Sequence, residues 1–298
     1  MTPSITAIVV AYEPEATFFS LVEIISRQVE SLIIVKNSKI PKYDFPKNVN
    51  VIGEEKNLGL GAGLNLGLNF GISQGTKWIL IFDQDSSPSD SFVSQTFASL
   101  NNYSPKILDE DFVFGAEFSE TSVDFSQVQV TEVYPVVSVF SSGTLFPVSV
   151  VKKIGLLNEK FFIDQVDHEF CLRARERGIP ILKGKLPFFK HQVGNPVPQK
   201  VLFWLMHPTH QNSKRWFFGA RNLVWNFKLH GPRPLRFFCR EFYSQVNRVI
   251  KVWLLETEKF EKTFSFLRGL IIGALRPAPH APLLDSRQPT LSPLKKEN

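Results

Sequence analysis

Short unbroken apolar runs alternate with stretches whose apolar residues recur every three to four positions, and this alternation organises the first half of the chain. The runs Ile5–Ala11, 32–35, Val49–Ile52 and 79–82 lack the polar alternation of a half-exposed strand. They predict strands buried on both faces, as in a parallel sheet covered by helices. Between them, Phe18, Leu21, Val22 and Ile25 mark one amphipathic helix, and Leu64, Leu68 and Ile72 mark a second over 61–73. This order implies right-handed crossovers and a mostly parallel α/β sheet. Past Pro88 the pattern predicts a helix over 92–100, a strand over 112–118, a polar connection over 119–133 and a strand over 136–146 broken at Ser141-Ser142-Gly143. A helix over 167–177, stopped by Gly178, and a strand over 179–182 come next. From 211 the period is helical, through Phe217, Leu223, Phe227, Phe242, Val246, Ile250 and Trp253. The expected organisation is an α/β domain over 1–210, a helical basic and aromatic extension over 211–275, and a disordered tail over 276–298, where five prolines accompany little apolar content.

Charge changes this picture in one place. The net charge of +6 is uneven: residues 200–276 hold 14 Lys and Arg against 4 Asp and Glu, so the rest of the chain sums to −4. Basic and aromatic residues coincide there, which suits an anionic membrane surface or a phosphate-bearing substrate; amphipathic helices with solvated basic faces are the plainer reading. Nucleic acid is not expected. No apolar stretch reaches the ~18 residues that span a bilayer, and Ile5–Ala11 lacks a basic leader, so the expected location is cytoplasmic, with peripheral contact to the inner face of the plasma membrane. Cys171 and Cys239 form no metal or redox spacing, as in a reducing compartment.

The chemistry gathers at strand ends. The run 79–82 stops abruptly at Asp83-Gln84-Asp85. Acids that emerge where a parallel strand ends face the crevice in which open α/β folds bind ligands. Two of them two positions apart point the same way and can hold one hard divalent cation, which in turn holds a diphosphate. Alone the pair is weak: it also fits a solvated loop, or a phosphatase that uses the first acid as nucleophile. A calcium loop is not expected, because Pro88 sits where that motif needs glycine. The loop Asn57-Leu58-Gly59 opens a helix, but its glycines at 59, 61 and 63 match neither the dinucleotide fingerprint nor a phosphate-cradling loop with its lysine. It can still bring backbone close to a ligand, while Gly63, Gly67 and Gly71 suit close helix-to-sheet packing. Asp164, Asp167 and Glu169 cluster where a helix begins, which fits either the helix dipole or a general base. His191 matters as a metal ligand only beside the aspartates.

Taken in order, these motifs resemble the family 2 inverting glycosyltransferases of GT-A architecture, and among them the bacterial rhamnosyltransferases of cell-surface glycan synthesis. The matching positions run from Thr6 to Tyr12 through Asn57-Leu58-Gly59, Phe82 to Ser86, Ser142-Gly143, Phe162 to Arg173, His191 and Arg221-Asn222. The resemblance covers about residues 4 to 230. It implies a GT-A type sheet with a nucleotide-sugar donor and a glycan or glycolipid acceptor. Asp83, Asp85 and His191 would hold Mg²⁺ or Mn²⁺. Tyr12 and Glu13 would lie beside the nucleobase, with Asn37, Asn57, Gly59, Ser142 and Gly143 lining the donor site. Asp167 matches the base that deprotonates the acceptor, and Glu169 is the second acid of that motif. The expected donor is dTDP-L-rhamnose, the alternative a UDP-linked hexose or galactofuranose; a phosphatase or a non-catalytic glycan-binding module ranks below both. One position departs: the second strand ends in Lys36-Asn37 where the family has Asp-Asn, and an ammonium cannot accept the base's imide N–H.

Overall fold

Each expected run forms its strand because its alternate residues bury on opposite faces of one sheet. The computed structural model describes residues 4–120, 130–191, 199–201, 204–206 and 211–284. β1 (Ile5–Ala11), β2 (Ser31–Lys36), β3 (Val49–Ile52) and β4 (Trp78–Asp83) pair in parallel, in the order β3-β2-β1-β4. Ala7 and Val9 of β1 pack with Phe18 and Leu21 of α1 (Ala16–Ser26) in one core. Ile8 and Val10 pack with Leu64 and Leu68 of α2 (Leu60–Ser73) in the other. Gly67 is required for that approach, since a Cβ there would lie 2.5 Å from Ile8 Cγ2. Phe82, between Phe92 and Phe189, is 1% exposed, and truncating such a ring costs about 3–5 kcal/mol.

The second half of the sheet is mixed where a mostly parallel one was expected. After β5 (Ser86–Pro88), α3 (Phe92–Tyr103), β6 (Val113–Ser119) and β7 (Val133–Pro135), strand β8 (Thr144–Pro147) returns antiparallel between β4 and β6. The strand expected over 136–146 thus forms only at its end. Residues 136–143 stay irregular, and Gly143 turns there with φ +73 while its N–H donates to Ile81 O at 2.8 Å. The short α4 (Val148–Ile154) and then α5 (Val166–Glu176) lead into β9 (Ile181–His191). β9 runs far past the expected 182 and pairs parallel with β6 and antiparallel with β5 and β7. That extension carries His191 to the site. A separate antiparallel pair, β10 (Gln199–Val201) and β11 (Trp204–Met206), follows.

Three helices complete the described chain: α6 (Ser213–His230), α7 (Leu235–Leu255) and α8 (Lys259–Leu275). α6 seats on the loop before α5. Asn222 Nδ2 lies 2.8–2.9 Å from the carbonyl oxygens of Phe161, Ile163 and Asp164. α8 lies close on α6 through Gly273, where a Cβ would come 2.9 Å from Arg221 O. The tail expected from 276 is not loose over its first part. Leu156 N donates to Pro282 O at 2.9 Å, Asn158 Nδ2 to Pro279 O at 2.7 Å, and Ala278 and Leu284 pack against the core under α2. Prolines lack an N–H but keep a free carbonyl, so an extended proline-rich segment can be held by its acceptors. The rest of the expected tail, 285–298, and most of the polar connection, 121–129, lie outside the described residues.

Candidate active site

The site is built where four segments meet: the end of β4, the irregular stretch before β8, the start of α5 and the end of β9. The end of β4 presents Asp83 half-buried and Asp85 exposed. Antiparallel pairing of Ser86 with His191 sets the imidazole opposite both. His191 Nδ1 lies 3.3 Å from Asp85 Oδ1 and Nε2 lies 3.7 Å from Asp83 Oδ2. Asp83, Asp85 and His191 each offer a ligand atom, and these atoms lie within 4.8 Å of one another. Desolvation in the crevice pushes Asp83 up to about 6; the charges of Asp85 and Asp167 add to this, and His191 and Ser141 oppose it. Burial works against a charged His191, yet its contacts with Asp85 and Asp83 outweigh it and raise its pKa. Two oxygen donors and one imidazole in a crevice crowded with carboxylates suit a divalent cation such as Mn²⁺ or Mg²⁺.

Serines join this cluster to the start of α5. Ser141 Oγ donates to Asp83 Oδ1 at 3.2 Å, while the Ser141 N–H donates to Asp167 Oδ2 at 3.1 Å. Asp167 Oδ1 accepts from the His168 N–H at 2.8 Å. One residue thus holds a carboxylate from each half of the sequence. Ser142 Oγ accepts from the Asp83 N–H at 3.2 Å and meets Ser86 Oγ at 2.6 Å; Ser86 Oγ lies 3.3 Å from His191 Nδ1. Ser141, Ser86 and Gln84 stood in the sequence only as a strand break or as motif neighbours with no role of their own, because polar loop residues carry no period. Gln84 ties β4 to β1: it accepts from the Tyr12 N–H at 2.7 Å and donates to Tyr12 O at 2.8 Å, which leaves the Tyr12 side chain exposed.

Other expected residues take different positions. Glu169 is 2% exposed, and both its oxygens bond Arg173 at 2.8 Å, so it is not gathered into the cleft. Arg173 in turn holds the carbonyls of Ile154 and Leu156. The i, i+4 spacing of these two residues was the available signal. Asn37 is also buried, facing the loop after β3: it accepts from the Leu58 N–H at 3.0 Å and donates to Gly59 O at 3.2 Å. Asn57 Oδ1 accepts from the Gly59 N–H at 2.9 Å, and Gly59 adopts φ +87 under Phe162, where a Cβ would meet the ring at 2.6 Å. Lys36 Nζ sits 3.8 Å from Glu55 Oε1, and the exposed Glu13 donates its N–H to Ser38 Oγ at 2.6 Å. Gly143 lies on the ring of Phe189, with no room for a side chain. Arg215 of α6 grips Asp164 at 2.7 Å; burial works against its charge, but it stands near enough to Asp83 and Asp85 that their charges help Asp164 to raise its pKa.

No family model matches the chain. Over 195 residues it is 27% identical to the dTDP-rhamnosyl transferase RfbF of Shigella flexneri, a match spanning 60% of this chain and 66% of that protein. It is 24% identical over 261 residues to the galactofuranosyltransferase GlfT1 of Mycolicibacterium smegmatis, spanning 78% of this chain and 86% of the relative. Among solved structures, residues 1–349 of S. aureus TarS superpose with a TM-score of 0.54 at 13% identity, covering 91% of this chain and 81% of that one. At that identity the likeness speaks for the fold alone, which is of GT-A type. The family expected from the sequence is the one the chain is found to resemble: the family 2 glycosyltransferases, bacterial rhamnosyltransferases among them.

Proposed function

We propose that this chain transfers L-rhamnose from dTDP-L-rhamnose onto a hydroxyl of a glycan or lipid-linked glycan in cell-surface polysaccharide synthesis, with inversion. The observation that carries this reading is the Ser141 bridge, which sets Asp83 and Asp167 on one cleft at hydrogen-bonding reach of a single residue. A Mg²⁺ or Mn²⁺ ion held by Asp83, Asp85 and His191 would supply Lewis-acid stabilisation of the departing diphosphate. Asp167 is the general base: it takes the acceptor proton as the hydroxyl attacks, and a single displacement inverts the anomeric carbon. Bonds from two backbone N–H groups fix its carboxylate before the acceptor arrives. Glu169 acts indirectly, by locking α5 to the carbonyls around 154–156 through Arg173. Tyr12 offers an exposed ring for the nucleobase beside Glu13, and Asn37 and Asn57 shape the loop through Gly59 that approaches the donor. With Lys36 turned to Glu55, base recognition rests on groups other than a second-strand aspartate. In this reading the catalytic domain expected over 1–210 works on the cytoplasmic side of the membrane and is held at its α5 loop by Asn222 and Arg215 of α6.

Galactofuranose from a UDP donor is the second reading, favoured by the longer share of chain matched by the galactofuranosyltransferase relatives. A thermal-shift panel of dTDP-L-rhamnose and UDP-galactofuranose, each with and without Mn²⁺, decides between them. Stabilisation by the dTDP sugar only, and only with metal, is the expected outcome. Stabilisation by the UDP sugar alone moves the assignment to the second reading. Binding without turnover would leave a glycan-binding module, and release of inorganic phosphate would revive the phosphatase.

A further inference from the structure

The last two helices carry a surface that no part of the transfer reaction uses. On α7, Tyr243, Ile250 and Leu254 stand exposed at helical spacing, and on α8 so do Phe264, Leu267 and Ile271. These are not core positions turned out by accident. The inner face of α8 is the opposite one, where Phe266 is buried and Gly269 and Gly273 lie on α6. The two stripes join at the α7–α8 corner, where Trp253 and Phe260 meet edge to face at 5.3 Å. Large apolar side chains repeated along two adjacent helices make a contiguous patch, which water-facing surfaces of monomeric proteins seldom carry without a partner.

Charge identifies the partner. Between 235 and 276, Lys and Arg outnumber Asp and Glu eight to four. Three of the four acids have basic partners: Glu256 and Glu258 lie 2.9 and 3.7 Å from the buried Lys262, and Glu241 pairs with Arg240 at 3.4 Å. Arg240 and Arg236 are exposed and continue the Tyr243 stripe by one and two turns, while exposed Arg268 sits one residue from Leu267. Apolar and aromatic stripes flanked by arginine match an interface whose interior is hydrocarbon and whose rim is anionic. No described helix is long and apolar enough to cross a membrane, so such helices would lie in the plane of the surface.

We propose that the outer face of α7 and α8 docks flat on an anionic lipid bilayer, its two stripes entering the headgroup boundary while Arg236, Arg240 and Arg268 pair with lipid phosphates. The packing of α8 on α6, and of α6 on the loop before α5, puts this face one helix away from the Asp167 cleft. A glycan acceptor anchored in the same bilayer would then be held near the site. The docking itself is independent of which sugar is transferred.

Flotation of the full chain with vesicles tests it. The chain should float with phosphatidylcholine vesicles containing phosphatidylglycerol and stay behind with phosphatidylcholine alone. Phe264→Ser with Leu267→Ser should lower binding about tenfold or more, and Arg240→Glu with Arg268→Glu about fivefold for each charge lost. All four positions are exposed, so the thermal midpoint and the donor-induced thermal shift should stay at the parent values; those readouts separate failed docking from a failed donor assignment. Three results would overturn the proposal: no flotation with anionic vesicles, variants that float like the parent, or a vesicle-free dimer that the same substitutions dissociate. The last would give this face to a second copy of the chain.

Discussion

Two acids at one end of α5 sit two residues apart and have opposite fates. Asp167 faces the cleft with oxygens held by two backbone N–H groups and near Asp83, so carboxylates crowd one another there. Glu169 lies in the interior with both oxygens saturated by Arg173. The cleft leaves charge in want of a cation or a proton donor. The interior leaves none. On the proposed reading, the acid that does the chemistry is the underpaired one, and the acid that holds structure is paired to completion.

The contrast can be broken by matched substitutions. Asp167→Asn should reduce turnover by about 10²–10⁴ while the donor still raises the thermal midpoint; substantial remaining turnover would show that the base lies elsewhere. Glu169→Gln should do the reverse. It strips the charge from a buried pair, for about 3–5 kcal/mol of stability by urea unfolding, with turnover per folded molecule largely kept. If it abolishes turnover at full stability, Glu169 belongs to the chemistry after all. Chelation with EDTA should remove most of the donor-induced thermal shift and leave the ligand-free midpoint nearly unchanged, because Asp83, Asp85 and His191 hold no core contact that depends on metal. The smallest effect is expected for Ser141→Ala. It deletes the hydroxyl on Asp83 but keeps the N–H on Asp167, so metal-dependent donor affinity should weaken by about 1 kcal/mol, a few-fold, in calorimetry. A larger loss in turnover than in affinity would mean that Ser141 serves the base more than the metal.

The first half of the sheet was legible because burial on both faces writes itself as unbroken apolar runs, and a strand that stops at Asp83 and Asp85 announces its own ligand end. Asp167, the proposed base, stood out as an acid at a helix start, and the structure sets it on the cleft that holds Asp83. Less was visible where geometry came from pairing rather than pattern. β9 contains Gly184 and Pro187, which interrupt any strand signal, yet its pairing with β6 and β5 carries it on to His191. Ser141 and Ser86 act through hydroxyls and backbone in turns, where nothing in composition separates them from other serines. Asn37, which the family resemblance puts in the donor site, turns its amide inward and organises the next loop, a contact that no sequence pattern marks.

Asn222 alters what counts as the smallest working piece of this molecule. Its amide reaches three carbonyls in a loop where Phe162, Asp164 and Gln165 all adopt positive φ, a path that repeating secondary structure does not provide for. The anchor for that loop arrives more than fifty residues later in the chain, on a helix that belongs by composition to the basic extension. A fragment ending at 210 would keep Asp83, Asp85, Asp167 and His191 but lose Arg215 and the clamp on the loop that leads to Asp167. The chain therefore divides differently by hydrogen bonding than by composition: the loop before α5 is held from α6, so a fragment cut at the compositional border would leave that loop without its anchor.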